Sequence, residues 1–116
     1  MKRDAREFLW DIEQAASAIS SFVDGMDSTA YSRSDVVRSA VERKFEIIGE
    51  ALAQLAKIDP ALVSRIPRLR EMIGFRNLLI HGYAAVEHNR VFRVIEGSLP
   101  ALRDAVAALL SELANR

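Results

Sequence analysis

The sequence predicts an all-α protein, a compact up-and-down bundle of four to five helices in a single domain over residues 1–116. Three observations predict it. Apolar residues recur at steps of three and four almost throughout, the period of a helix with one buried face. Alternating polar and apolar runs, the mark of a half-buried strand, are nearly absent. The periodic stretches are separated by Gly, Pro and capping residues rather than by long linkers.

In the first stretch Leu9, Ile12, Ala16, Ile19 and Val23 share one helical face, and Gly25 in "DGMDS" can close the helix. A polar link, "SRS", follows. Ser34 suits an N-cap and Asp35 the first turn of a second helix, expected from about Asp35 to Lys57. Its inward face is Val37, Val41, Phe45, Ile48, Leu52 and Leu55, and Pro60 is a stop signal just beyond. "DPALVSRIP" reads as one short helical turn between two prolines. A third helix is expected from about Arg68 to His81, with Leu69, Met72, Ile73 and Leu79 or Ile80 facing inward and Gly82 at the C′ position. Residues 89–114 read as one kinked helix or two abutting ones, with Ser98 as an N-cap of the second and Pro100 in its first turn. Gly49, Ala51 and Ala53 permit close helix approach, either within the chain or against a second subunit.

Composition narrows the function classes. The chain has 16 basic and 16 acidic residues, so no whole-molecule field marks a nucleic-acid binder. Residues 51–76 nevertheless carry Lys57, Arg65, Arg68, Arg70 and Arg76 against Asp59 and Glu71, a solvated helix face or a local anion-binding patch. There is no cysteine, which excludes disulfides, thiolate catalysis and Cys-based zinc sites and fits a cytoplasmic location. The opening "MKRDAREFLWDIEQ" lacks the apolar region of a secretory signal. No apolar run approaches the ~20 residues of a membrane span.

Polar chemistry concentrates in "EMIGFRNLLIHGYAAVEHN", residues 71–89, which holds both histidines. Asn77 and His81 are four apart and share a helix face. Arg76 and His81 are five apart, about 140° round an ideal helix, so they converge only if the last turn distorts or a second chain completes the site. Metal-free RNA cleavage needs a base for the 2′-OH proton, an acid for the leaving 5′ oxygen, and a fixed cation at the phosphoryl oxygens. His81 can be acid or base, Arg76 the cation, and Asn77 the orienting group. One histidine cannot stand at both ends of an in-line displacement, whereas a symmetric homodimer supplies two. The same residues also read as ordinary helix-end chemistry, with Arg76 paired to a nearby carboxylate. His88 reads as a helix-start or surface residue with no role. Glu42, Glu46 and Glu50 share a face, but no metal-ligand spacing accompanies them, and the reading requires neither metal nor cofactor.

Arg76, the polar Asn77, His81 and Tyr83 in "FRNLLIHGY" resemble the RxxxxHxY motif of HepT toxins, within the HEPN superfamily. The resemblance extends over most of the chain. "AVERKFEIIGEALAQL" is similar to that family's second helix, with its GEA element at Gly49, Glu50 and Ala51. "IPRLREMIGFRNLLIHGY" is similar to the third helix and "SLPALRDAVAALL" to the last. Where many relatives carry Trp shortly after the "IP", this chain has Arg68 and Leu69. The resemblance implies a HEPN-like bundle that forms a homodimer with its motif helices lining a shared cleft. It implies a metal-independent endoribonuclease acting on RNA, with Arg76 and His81 catalytic and Asn77 supporting. It also implies an MntA-type nucleotidyltransferase antitoxin that transfers AMP from ATP to Tyr83. The alternative is a non-catalytic helical module that docks a nucleotidyltransferase.

Overall fold

A computed structural model describes residues 3–115. Among these residues six α-helices follow one another: α1 (Ala5–Phe22), α2 (Ser28–Arg33), α3 (Asp35–Ile58), α4 (Pro60–Val63), α5 (Leu69–His81) and α6 (His88–Ala114). A 3₁₀ turn, Tyr83–Ala85, joins the last two. The four long helices are those the periodicity predicts.

Side-chain caps start four of the helices. Asp4, Asp27, Ser34 and Asp59 each accept a hydrogen bond from the backbone N–H three residues on, at 2.8–3.2 Å. Each such cap is worth about 1 kcal/mol. Asp27 explains why the expected "SRS" link is largely helix: it caps α2, and Tyr31 then carries that short helix into the core beside Phe92, ring centroids 5.6 Å apart. Gly25, at φ 76°, makes the left-handed step that turns the chain after α1.

Three expectations change. α6 is one continuous helix, so Ser98 caps nothing. Pro100 is tolerated inside it because the carbonyl it leaves without a donor, that of Glu96, lies on an exposed turn. Gly82 ends α5 at φ −124°, outside the left-handed region. The chain passes straight into the 3₁₀ turn instead of forming an αL cap. The inward face of α5 is Met72, Phe75 and Leu79, while Leu69 and Ile73 are half-buried and Ile80 is exposed. Phe75 takes its place by packing edge-on against Phe45, centroids 5.2 Å apart.

The core runs along α1, α3 and α6, with Leu9, Ile12, Ile19, Val41, Ile48, Leu52, Leu99, Leu102 and Val106 essentially fully buried. α1 lies against α3 and α6, and α3 lies against α1 and α5. α5 and α6 are not among the close pairings, so that seam is open.

The α3–α5 crossing is the tightest point. A Cβ placed on Gly49 would stand 2.2 Å from Cβ and 2.7 Å from Cγ of Arg76, and 3.3 Å from the Met72 carbonyl. The small residue of "IGEA" therefore serves a crossing within the chain. We expect Gly49→Ala to destabilise the fold by about 1–3 kcal/mol, because the clash falls on atoms near the α5 backbone. Gly74→Ala, which meets open space, should instead stabilise it by up to about 1 kcal/mol. Urea denaturation of both variants checks the pair.

Candidate functional site

Arg76 is built into position from three sides. Gly49 admits the base of its side chain against α3. Its Nη2 donates to Glu50 Oε2 at 2.7 Å, and its Nη1 donates to Asn77 Oδ1, also at 2.7 Å. Its Nε is shielded from solvent and has no hydrogen-bond partner. The guanidinium is thus partly desolvated, which strengthens its field toward any anion nearby. Glu50, at the Gly49–Glu50–Ala51 element, shares a face with Glu42 and Glu46 in the sequence, and only the α3–α5 crossing singles it out as the counter-ion of Arg76.

Arg76, Glu50 and Ile80 open onto a shallow cleft between α1, α3 and α5, of about 260 Å³. Every carboxylate lining it has a cation of its own. Arg3 pairs with Asp11 at 2.6 Å, Arg43 with Glu46 at 3.4 Å, and Arg76 with Glu50. No group of three His, Asp or Glu able to hold a metal ion occurs among the described residues.

His81 and Tyr83 lie elsewhere. His81 is the last residue of α5 and is exposed; no hydrogen bond or ion pair engages its side chain among the described residues. Tyr83 opens the 3₁₀ turn and is 75% exposed. Neither lines the Arg76 cleft. The final turn of α5 does not distort to bring Arg76 and His81 together, and the helical offset persists. Asn77 spans part of it. Its side chain accepts from Arg76 and, four residues before His81, lies on the helix face it shares with that residue.

The chain matches the model of one protein family, described as ribonuclease HepT-like, over residues 12–109. The chain belongs to that family. It is similar to "Putative RNase MJ1380" of Methanocaldococcus jannaschii, 30% identical over 90% of this chain and 95% of the relative. It is also similar to "Probable ribonuclease HepT" of Thermococcus cleftensis, 31% identical over 89% of this chain and 93% of the relative. A further M. jannaschii protein, "Putative RNase MJ0125", is 29% identical over 99% of this chain and 98% of its own length. No solved structure is a significant match. Among the described residues of this HepT-like chain, no helix is long and apolar enough to cross a membrane.

The other histidine, His88, is the first residue of α6, as its sequence position suggested. Its Nδ1 is shielded and without a partner, as is the Tyr31 hydroxyl. Glu42 lies beside both. Burial holds its carboxyl above the ordinary range, while His88 and Arg38 pull it down and Glu46 and Asp35 push it up. Burial, with Glu42 adding to it, raises the Tyr31 hydroxyl. A carboxyl raised in the folded state binds its proton more tightly there than in the unfolded chain. Stability is therefore lost as pH climbs from the unfolded value through the raised one. Glu42→Gln should remove that slope. Its urea midpoint, compared with the parent's, should improve as pH rises above the ordinary carboxylate range.

Proposed function

We propose that the chain is the toxin of a toxin–antitoxin pair, a metal-independent endoribonuclease working at a cleft between two copies. The observation that carries this reading is the built position of Arg76 on the same helix as an exposed His81, within a ribonuclease family. Arg76 and His81 do not share a cleft within one chain. A second copy related by a two-fold axis would bring two arginines and two histidines around one strand. One neutral His81 takes the 2′-OH proton as O2′ bonds to phosphorus. The P–O5′ bond breaks, and the protonated His81 of the other copy gives its proton to the departing 5′ oxygen. The products are a 2′,3′-cyclic phosphate and a free 5′ hydroxyl. Arg76 steadies the phosphoryl oxygens, and Asn77 holds the guanidinium through its hydrogen bond.

Tyr83 supports the regulatory half of the proposal through its exposure. An antitoxin nucleotidyltransferase would join the α-phosphate of ATP to the Tyr83 oxygen and release pyrophosphate. The added AMP brings negative charge and bulk two residues from His81, where RNA would enter.

One observation favours a second reading, a docking module without catalysis: the charge of Arg76 already faces Glu50 at 2.7 Å. The same variant separates the two. His81→Ala should lower RNA cleavage by about 10²–10⁴-fold with the helical circular dichroism unchanged, and EDTA should leave the parent active. A His81→Ala protein that cuts as the parent does would falsify the catalytic assignment, and a parent that binds a nucleotidyltransferase yet never cleaves favours the docking module. Mixing parent and His81→Ala chains in equal amounts should leave about one quarter of the activity if both histidines serve one cleft, and about one half if each chain acts alone.

A further inference from the structure

The open seam between α5 and α6 carries chemistry that the proposed reaction does not use. A groove of about 600 Å³ runs along it. Arg68 lines it from the start of α5, and Arg90 and Arg93 face them from α6; Glu71 is the one carboxylate in its walls. Three arginines elsewhere are engaged, Arg38 with Asp35, Arg65 with Glu112 and Arg103 with Glu13. Among the described residues Arg90 and Arg93 make no ion pair, and Arg68 reaches Glu71 only at 3.9 Å.

Arg68 is held there against its backbone preference. It is the only non-glycine residue with positive φ among those described, at 58°. Its Nη1 crosses the seam to donate to Ser98 Oγ at 2.9 Å, and Ser98 is the buried polar residue of α6. One of the five guanidinium N–H groups is used in this way, and the rest of the fork stays available to a ligand. The seam is thus a groove with a fixed arginine on one wall and two unpaired arginines on the other.

Helical geometry ties the groove to the candidate site. Gly74, which lines it, and His81 are seven residues apart. They lie on nearly the same face of α5, two turns or about 10 Å along the axis. Gly74 has nothing within 4 Å of where a Cβ would stand, so the groove is open at that turn of α5. A strand with one phosphate at His81 would lay its following phosphates along the arginines. The aromatic ring in the lining, Phe75, is buried and packed on Phe45. The groove therefore offers charge to a backbone and no platform for bases. Its alignment with His81 along one face of α5 favours a nucleic-acid strand over an acidic protein surface.

We propose that the α5–α6 seam is a phosphate-binding track for single-stranded RNA, contacting the backbone through Arg68, Arg90 and Arg93. The assignment rests on the ribonuclease reading, and its test is a binding measurement that does not need cleavage. The probe is a labelled 2′-O-methyl oligouridylate of roughly twelve nucleotides, whose 2′ oxygens carry no proton to lose. Its affinity is measured between about 50 and 200 mM salt. Arg90→Gln/Arg93→Gln should bind more weakly and flatten the log–log salt slope by about 1.4, at about 0.7 per lost phosphate contact. Arg6→Gln is the charge control, because Arg6 donates to the Leu113 carbonyl at the far end of α6, and its slope should stay within 0.2 or so of the parent's. An unchanged slope in the double variant overturns the track, as does an equal flattening by Arg6→Gln. A double variant that keeps RNA binding but loses an oligoglutamate peptide overturns it in favour of a protein partner. Failure of the ribonuclease reading shows separately, as a parent protein that binds the probe but never cuts its 2′-hydroxyl counterpart.

Discussion

The contact between Gly49 and Arg76 is the constraint on which the rest of the site depends. It sets how closely α5 lies on α3, and any larger residue at 49 would meet the first carbons of the arginine. The magnitudes say which force governs. A partly exposed ion pair such as Glu50–Arg76 contributes about 0–1 kcal/mol, while forcing a methyl group into a filled crossing costs about 1–3 kcal/mol. Packing therefore decides where α5 sits, and the ion pair decides where the guanidinium points. Gly49 and Glu50 divide these two tasks between adjacent residues of one helix.

That division explains which parts of the molecule can be read from the sequence. Long helices are legible because burial acts on every turn, and the steps of three and four from Val41 to Leu55 state the buried face directly. Caps are legible because a single side chain satisfies a backbone donor three residues away, as Ser34 does. The missed features depend on distant partners. Tyr31 makes α2 worth forming only once Phe92 is beside it. Phe75 becomes core only against Phe45. Ser98 has the chemistry of a cap, yet its hydroxyl accepts from Arg68, thirty residues away, and the helix runs on through Pro100. At the candidate site, the angular offset of Arg76 and His81 follows from residue numbers alone. Glu50 as the counter-ion does not, because it requires the crossing.

Charge is arranged with the same separation of roles. The cleft at Arg76 is neutralised pair by pair, with Asp11, Glu46 and Glu50 each matched by an arginine. The α5–α6 seam has three arginines against one carboxylate. A net charge of zero is thus compatible with a strongly polarised surface, since screening confines each field to about 8–10 Å at ordinary ionic strength. What a polyanion meets is the local arrangement, and the composition total says little about it.

Several costs of the fold fall on α5. α5 begins at a left-handed arginine without a side-chain cap, crosses α3 where only glycine fits, shields the Arg76 Nε without a partner, and ends without a left-handed glycine. Each of these departs from what local preference would choose, while α1 and α3 each begin with a side-chain cap and an acidic residue in the first turn. A helix optimised for stability alone would carry none of them. Strain concentrated where the charged side chains are displayed, and balanced by the fully buried core of α1, α3 and α6, is the pattern expected when one element is shaped by what it must contact rather than by what it must bury.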